Sequence, residues 1–383
     1  MSRFEEVQAE NLARRERVVE GKFNCLPFPF ERFSRIYPGF EQARYLIITA
    51  NQKVGKSKLA DYLFIYEPLF SMLDKGGPKV KVFYFSLEMS AKEKYNEFLC
   101  QLLFRLDNIH IDTRRLRSVD APCDPHVFEL LQSERYQRYI HAFEEMVLFD
   151  DVTKNPTGIN KRCRDYALGH GHMNFIEYEA TNEITGEIEK KRGVDPIKPY
   201  TQDDEDEFRI IILDNAANLV VEKGCKDQRE TIEKMSKYCI TLRKQLNFIP
   251  VLIQHQAQSQ EGIENIKLDR MRPTTDGLGD CKTTSRDASC VIGLYSPFKF
   301  DKKEHLNYDI TKLQGYCRFL EVLEDRDYGA NGHVCPLFFD GATSTFKELP
   351  KSTEIEKLNR YYQLIKRWEE EAEAPPLELT NPK

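Results

Sequence analysis

The 383-residue chain is 40% hydrophobic, 31% charged and 11% aromatic, the balance of a water-soluble protein with one large α/β domain and extensions. A formal net charge of −6 excludes a global basic field, so any nucleic-acid contact has to come from a locally basic surface. No apolar run can span a bilayer, no signal peptide is read at the start, and the ten cysteines form neither CxxC pairs nor metal-ligand spacings, which leads to the expectation of a soluble cytoplasmic protein with reduced thiols.

In chain order, residues 2–20 read as a highly charged helix, with Ser2 and Glu5 forming a capping box and Gly21 a C-terminal stop. Phe4, Val7, Leu12 and Val18 are too sparse to seat this helix on its own core, so it is expected to dock on a neighbouring subunit. A Pro- and Phe-rich stretch (23–44) leads into Tyr45–Ala50, an apolar β-branched run of the kind that forms a buried parallel strand. The loop Asn51-Gln52-Lys53-Val54-Gly55-Lys56-Ser57 and a helical pattern (KLADYLFIYEPLF) follow at once. Strand, loop, GK[ST], helix is the phosphate-binding loop: backbone N–H groups surround the β-phosphate, Lys56 reaches the β- and γ-phosphates, and Ser57 holds Mg²⁺. Ala50 stands where the pattern has its first glycine, and would be strained if that position needs a positive φ.

A second buried strand (KVFYFS, 81–86) places Glu88 just past its C-terminal end, the edge where open α/β sheets hold ligands. Ser90 then caps a helix with Glu93 at its third position. MVLFDD (146–151) is a third strand, and a helix opens near Thr157. Residues 172–207 interrupt the alternation with a polar, acidic insertion, read as a β-hairpin turning at Asn182–Gly186. FRIIILD (208–214) is uninterrupted apolar and ends in Asp214, the pattern of a Walker B carboxylate that orders Mg²⁺. A helix (227–247) carries the chain to IPVLIQ (249–254), whose end, His255 and Gln256, suits sensing a γ-phosphate. The segment Ala257–Arg286 reads as a long functional loop carrying Lys267, Arg270, Arg272 and Lys282. Late strands at 288–296, 318–325 and 333–340 precede a helical tail that frays through PPLELTNPK.

The blocks ITANQKVGKSKLA, FYFSLEMS, IIILDNAANL, IPVLIQHQ, GLGDCKTTSRDAS and LEDRDYG together resemble the RecA-like C-terminal domain of DnaB-type replicative helicases, especially short phage forms. The resemblance spans roughly residues 25–350. It implies an α/β fold with a mostly parallel central sheet flanked by helices and C-terminal antiparallel strands. The domain reading is a linker-type helix at 1–21, the ATPase core at 22–350 with its 172–207 insertion, and a C-terminal helix and tail at 351–383. What the family implies is an ATP- and Mg²⁺-dependent 5′→3′ helicase working as a hexameric ring on single-stranded DNA, in host cytoplasm if phage-encoded, with primase or loader as a separate chain. Residue by residue it implies Glu88 as general base, Asp214 as Walker B carboxylate, His255 as γ-phosphate sensor and Arg326 as an arginine finger acting on the neighbouring subunit. It also implies Lys267, Arg270, Arg272 and Lys282 as pore-loop contacts to DNA phosphates. Asn215 and Glu324 depart from the family pattern, and Glu324 stands where a phosphate-gripping lysine is usual. A RecA/RadA-like filament-forming ATPase and a non-catalytic ATP-binding ring are the competing readings.

Overall fold

The computed structural model describes residues 2–181, 188–268 and 270–373. Among them the organising feature is a nine-stranded mixed sheet. Its strands are β1 (Leu46–Ala50), β2 (Lys79–Ser86), β3 (Val147–Asp150), β4 (Glu207–Asp214), β5 (Ile249–His255), β6 (Cys290–Tyr295), β7 (Cys317–Asp325), β8 (Val334–Asp340) and β9 (Thr345–Glu348). Their order across the sheet is β9-β8-β7-β6-β1-β5-β4-β2-β3. The six strands from β6 to β3 are mutually parallel, and β7, β8 and β9 add an antiparallel wing.

The central strands are buried along their whole length because both faces are covered, which is why β1 and β4 read as unbroken apolar runs. Leu46 and Ile48 of β1 enter one core, and Tyr45 and Ile47 enter the other. The N-terminal helix Arg3–Val19 (α1) lies outside both. The first core packs against the helix that follows the phosphate loop, Lys56–Asp61 (α2), which continues through a π-helical stretch Tyr62–Tyr66 into Glu67–Lys75, and against Ala91–Asp107 (α3). The second packs against Pro156–Gly169 (α4) and Gln228–Leu246 (α5). Capping boxes form as the sequence requires: the Ser90 hydroxyl accepts the Glu93 N–H while the Glu93 carboxylate accepts the Ser90 N–H at 2.8 Å. The stretch between α3 and β3, on which no element was expected, folds as short helices Thr113–Leu116, Pro125–Gln132 and Glu134–Met146.

Helix α1 has the expected Ser2–Glu5 capping box and buries none of its residues. Its last turns are tied down by ion pairs from Arg14 to Glu41 (2.8 Å) and Arg17 to Asp206 (2.7 Å), while Phe4 stands 72% exposed. The insertion forms an antiparallel hairpin of Phe175–Thr181 with Ile188–Val194, exposed along most of its length; its turn at Asn182–Gly186 lies outside the described residues, as does the PPLELTNPK tail. The hairpin's base is fixed instead, with Tyr200 buried, its hydroxyl donating to the Ala167 carbonyl (2.6 Å) and accepting from Arg209 (2.8 Å). The C-terminal helix is Ile355–Glu373 (α6), and among the described residues no helix is long and apolar enough to cross a membrane.

Candidate active site

The C-terminal ends of β1, β5, β4 and β2 lie side by side, so the loops that leave them converge. The phosphate loop leaves β1. Gly55, at φ +104°, caps the helix beginning at Lys56, and a Cβ there would stand 3.1 Å from the Phe339 ring, so glycine is required twice over. The strain foreseen at Ala50 does not arise. Ala50 closes strand β1, paired with His255 and Leu294, and the left-handed turn falls at Lys53 (φ +58°). An alanine suits that position because the residue is extended and fully buried.

Two cations that the motif does not contain hold the loop from outside. Arg318 of β7 donates to the Val54 carbonyl (2.6 Å) and lies over the Phe339 ring, and Lys299 donates to the Gln52 carbonyl (3.0 Å) while pairing with Glu261 (2.6 Å). Lys56 folds back on the loop, its ammonium 3.2 Å from the Asn51 carbonyl. Burial lowers its pKa to about 8, with Asp214 and Glu88 pulling the other way, so it stays charged at neutral pH and gains from any anion placed beside it. The Asn51 side-chain amide is buried, and among the described residues neither its oxygen nor its nitrogen has a hydrogen-bond partner. An orphaned amide on a loop shaped for phosphate is what a nucleotide would satisfy.

Asp214 ends β4 beside this loop. The Ser57 hydroxyl donates to its Oδ1 (2.9 Å) and the Tyr84 hydroxyl to its Oδ2 (2.8 Å). A hydroxyl and a carboxylate in contact form the oxygen donor set that Mg²⁺ takes beside a phosphate. Behind Asp214 lies a buried ionic network. Lys94 of α3, 2% exposed, sits 2.8 Å from Asp61, 3.4 Å from Glu97 and 3.7 Å from Asp214. Burial disfavours its ammonium, but these three carboxylates outweigh that and hold its pKa above the ordinary lysine value. Lys58 extends the network from Glu97 (2.8 Å) to the Ser344 hydroxyl (3.0 Å).

Glu88, just past the end of β2, is brought to the same place because Ser86 pairs with Asp214 and the Leu87 N–H donates to the Asp214 carbonyl (2.7 Å). Asn215 links it to the next strand. Its Oδ1 accepts the Ala217 N–H (3.0 Å), which turns Nδ2 toward Glu88 Oε2 (2.7 Å) and His255 Nε2 (3.1 Å). His255 therefore accepts at Nε2 and carries its proton on Nδ1. Burial, and then the charge of Lys56, push its pKa down to about 4, so it is neutral at physiological pH. Sequence reading noted Asn215 only as a departure from pattern and passed over Tyr84, Lys94, Lys299 and Arg318.

Lys56, Ser57, Asp214, Glu88 and His255 thus meet at one sheet edge. Arg326 does not join them. It follows Asp325, which pairs with Cys290, which in turn pairs with Leu46 at the start of β1. That is the opposite end of the strand from the phosphate loop, about 13 Å away along the sheet. The turn carrying it is rigid, with Asp325 accepting the N–H groups of Asp327, Tyr328 and Ala330.

The segment after β5 is less open than its glycines and prolines suggest, since it contains short helices Gln258–Glu261, Ile263–Lys267 and Thr284–Asp287. Two buried glutamines tie it to the sheet: Gln254 donates to the Cys281 carbonyl (2.7 Å), and Gln256 to Thr49 of β1 (2.9 Å) and the Thr274 carbonyl (3.0 Å). Lys267, Arg270 and Lys282 are exposed on it, whereas Arg272 is ion-paired with Glu321 of β7.

No protein-family model matches this sequence, and no curated protein matches it either. Solved structures do match in fold. The ATPase domain of one helicase of the DnaB-like replicative kind superposes with a TM-score of 0.59 at 15% identity, over 89% of this chain and 98% of that one. A second DnaB-like replicative helicase, solved in a study of its interactions with primase, superposes with a TM-score of 0.61 at 14% identity, over 88% of this chain and 68% of that one. The chain has the RecA-like core fold of replicative helicase ATPase domains.

Proposed function

We propose that this chain is the ATPase motor of a replicative-type DNA helicase, a hexameric ring that moves 5′→3′ on single-stranded DNA and hydrolyses ATP between subunits. The observation that carries the reading is the division of the catalytic groups between the two ends of one sheet, on a fold shared with helicase ATPase domains. The loop from Asn51 to Ser57 and the Lys56 ammonium would hold the phosphates, and Ser57 and Asp214 would hold Mg²⁺. Mg²⁺ there supplies charge neutralisation on the transferring phosphoryl group.

Glu88 takes the proton of the attacking water, and Asn215 fixes the carboxylate for that task. The neutral His255 ring, joined to Asn215, sets the γ-phosphate side of the site. Arg326, too far from its own phosphate loop, stabilises the charge developing on a nucleotide held by the next subunit. The exposed apolar residues of Arg3–Val19 are then covered by a neighbour, and repetition of this head-to-tail contact closes a ring. Lys267, Arg270 and Lys282 contact phosphates of the strand in the centre, with Arg272 joining them if it leaves Glu321. A separate primase or loader chain is the expected partner.

The test is ATP hydrolysis with and without single-stranded DNA, with Lys56→Ala and Glu88→Ala as controls, followed by unwinding of 5′- and 3′-tailed duplexes. Stimulation by DNA, lost in both variants, with unwinding of the 5′-tailed substrate, supports the proposal. Tight ATP binding without turnover would leave a nucleotide-assembled scaffold. DNA-stimulated turnover on helical filaments, with no unwinding, would leave a filament-forming ATPase.

A further inference from the structure

The end of the sheet opposite the phosphate loop gathers four guanidinium groups around one serine. Arg44 precedes β1, Arg243 lies in the last turns of α5, Arg286 in the short helix Thr284–Asp287, and Arg326 follows β7. Ser289 is the hub. Its carbonyl accepts the Arg326 N–H (3.1 Å), and its hydroxyl accepts from Arg243 Nη1 and from the Tyr45 N–H (3.2 Å). The Arg326 guanidinium is held by the Arg286 carbonyl.

The cations are not matched by acids. Among the described residues Arg44 alone of the four has a carboxylate at ion-pair distance, Asp327 at 3.1 Å; Asp287 accepts instead from the Ser236 hydroxyl (2.7 Å). Arg243 Nε is buried and, among the described residues, has no hydrogen-bond partner. Burial, and then the charges of Arg44 and Arg326, lower the Arg243 pKa, with Asp327 and Asp287 offsetting part of this. A guanidinium that is partly desolvated, repelled by its neighbours and short of an acceptor is an anion site awaiting its anion.

We propose that Arg243 and Arg326 together form an anion subsite for the terminal phosphates of a nucleotide bound in the phosphate loop of a second copy of this chain. The proposal rests on the trans role given to Arg326 above. Arg326 is carried on an exposed turn, and Arg243 on a packed helix whose C-terminal turns bury Leu242 and Leu246. Arg243 thus provides the fixed half of a two-guanidinium clamp, and its fork matches two oxygens of one phosphate.

The experiment uses mixtures of full-length variants. Arg243→Ala alone should lower turnover on the order of 100-fold, the loss that follows removal of one donor to a developing negative charge. Mixed equally with Lys56→Ala subunits, it should recover up to about one quarter of parental turnover, the share of head-to-tail interfaces that random mixing leaves intact on both sides. Arg326→Ala with Lys56→Ala is run in parallel. Recovery in the Arg326 mixture but not the Arg243 mixture overturns the proposal, because Arg243 would then act within its own subunit. Recovery in neither removes the trans reading itself. Parental turnover by Arg243→Ala alone also overturns it. If Arg243→Ala fails to fold, Arg243→Lys keeps the charge without the fork; it should lower kcat at unchanged nucleotide affinity, and a parental kcat refutes the clamp.

Discussion

Replacing Asn215 by alanine removes both N–H donors that connect Glu88 to His255 while leaving the phosphate loop untouched. The Asn215–Glu88 hydrogen bond is short, 2.7 Å, and has a carboxylate acceptor. Such a bond is worth about 1.5–3 kcal/mol. If that energy holds Glu88 in its working position, its loss raises the barrier by the same amount, and at about 1.36 kcal/mol per decade kcat falls roughly 10- to 160-fold. Nucleotide affinity should stay at the parental value, since Lys56, Ser57 and Asp214 keep their contacts. Asn215→Asp should be more damaging, because it preserves the acceptor for the Ala217 N–H but sets a second carboxylate against Glu88. Steady-state hydrolysis gives kcat, and titration with a fluorescent ADP analogue gives affinity. An unchanged kcat in Asn215→Ala, or equal losses of kcat and affinity, would refute the assignment of Asn215 as the residue that positions Glu88.

Gly55→Ala places a side chain at φ +104° and 3.1 Å from Phe339, so it should cost about 1–3 kcal/mol of stability and abolish nucleotide binding, read by thermal melting and ADP titration. Lys94→Met leaves Asp61, Glu97 and Asp214 without their shared ammonium and should destabilise the fold by about 3–5 kcal/mol, measured by denaturant unfolding; Lys94→Arg should recover part of this. Because the free Lys56 ammonium has a pKa of about 8 and an added phosphate raises it, nucleotide affinity should be flat below that pH and fall above it, with proton uptake on binding; calorimetry in buffers of different ionisation enthalpy tests the sign. Deleting residues 2–20 should lower the mass of the assembled protein in light scattering, as the exposed apolar residues of that helix are its contact to a neighbour.

Local signals made much of this legible. The phosphate loop, the capped starts of α1 and α3, and the buried strands are each written within about ten residues, where periodicity and cap chemistry decide the structure. The insertion hairpin and the late antiparallel strands were readable for the same reason. What the sequence withheld depends on strand order. Tyr84 reaches Asp214 because β2 pairs with β4 in a register that puts Phe85 opposite Leu213, and a tyrosine inside an apolar strand reads as core. Lys94 and Arg318 looked like surface cations because nothing local marks the partners that bury them. Arg272 looked free for DNA, yet Glu321 pairs with it from 49 residues away. The misgiving over Ala50 came from applying a glycine rule to a residue that the structure keeps inside a strand.

The ionic network behind Asp214 has a mechanical meaning. Lys94, Lys58, Asp61, Glu97 and Ser344 join the phosphate-loop helix, α3 and the turn between β8 and β9 into one buried lattice. Satisfied buried polar networks are stiff, so the rear wall of the nucleotide site behaves as an anvil. The front is made differently: Gln256, His255 and the Lys299–Glu261 pair fasten the segment after β5 with a few bonds near the surface. Any recoil from a change at the γ-phosphate is therefore delivered forward, into the stretch that carries Lys267 and Lys282.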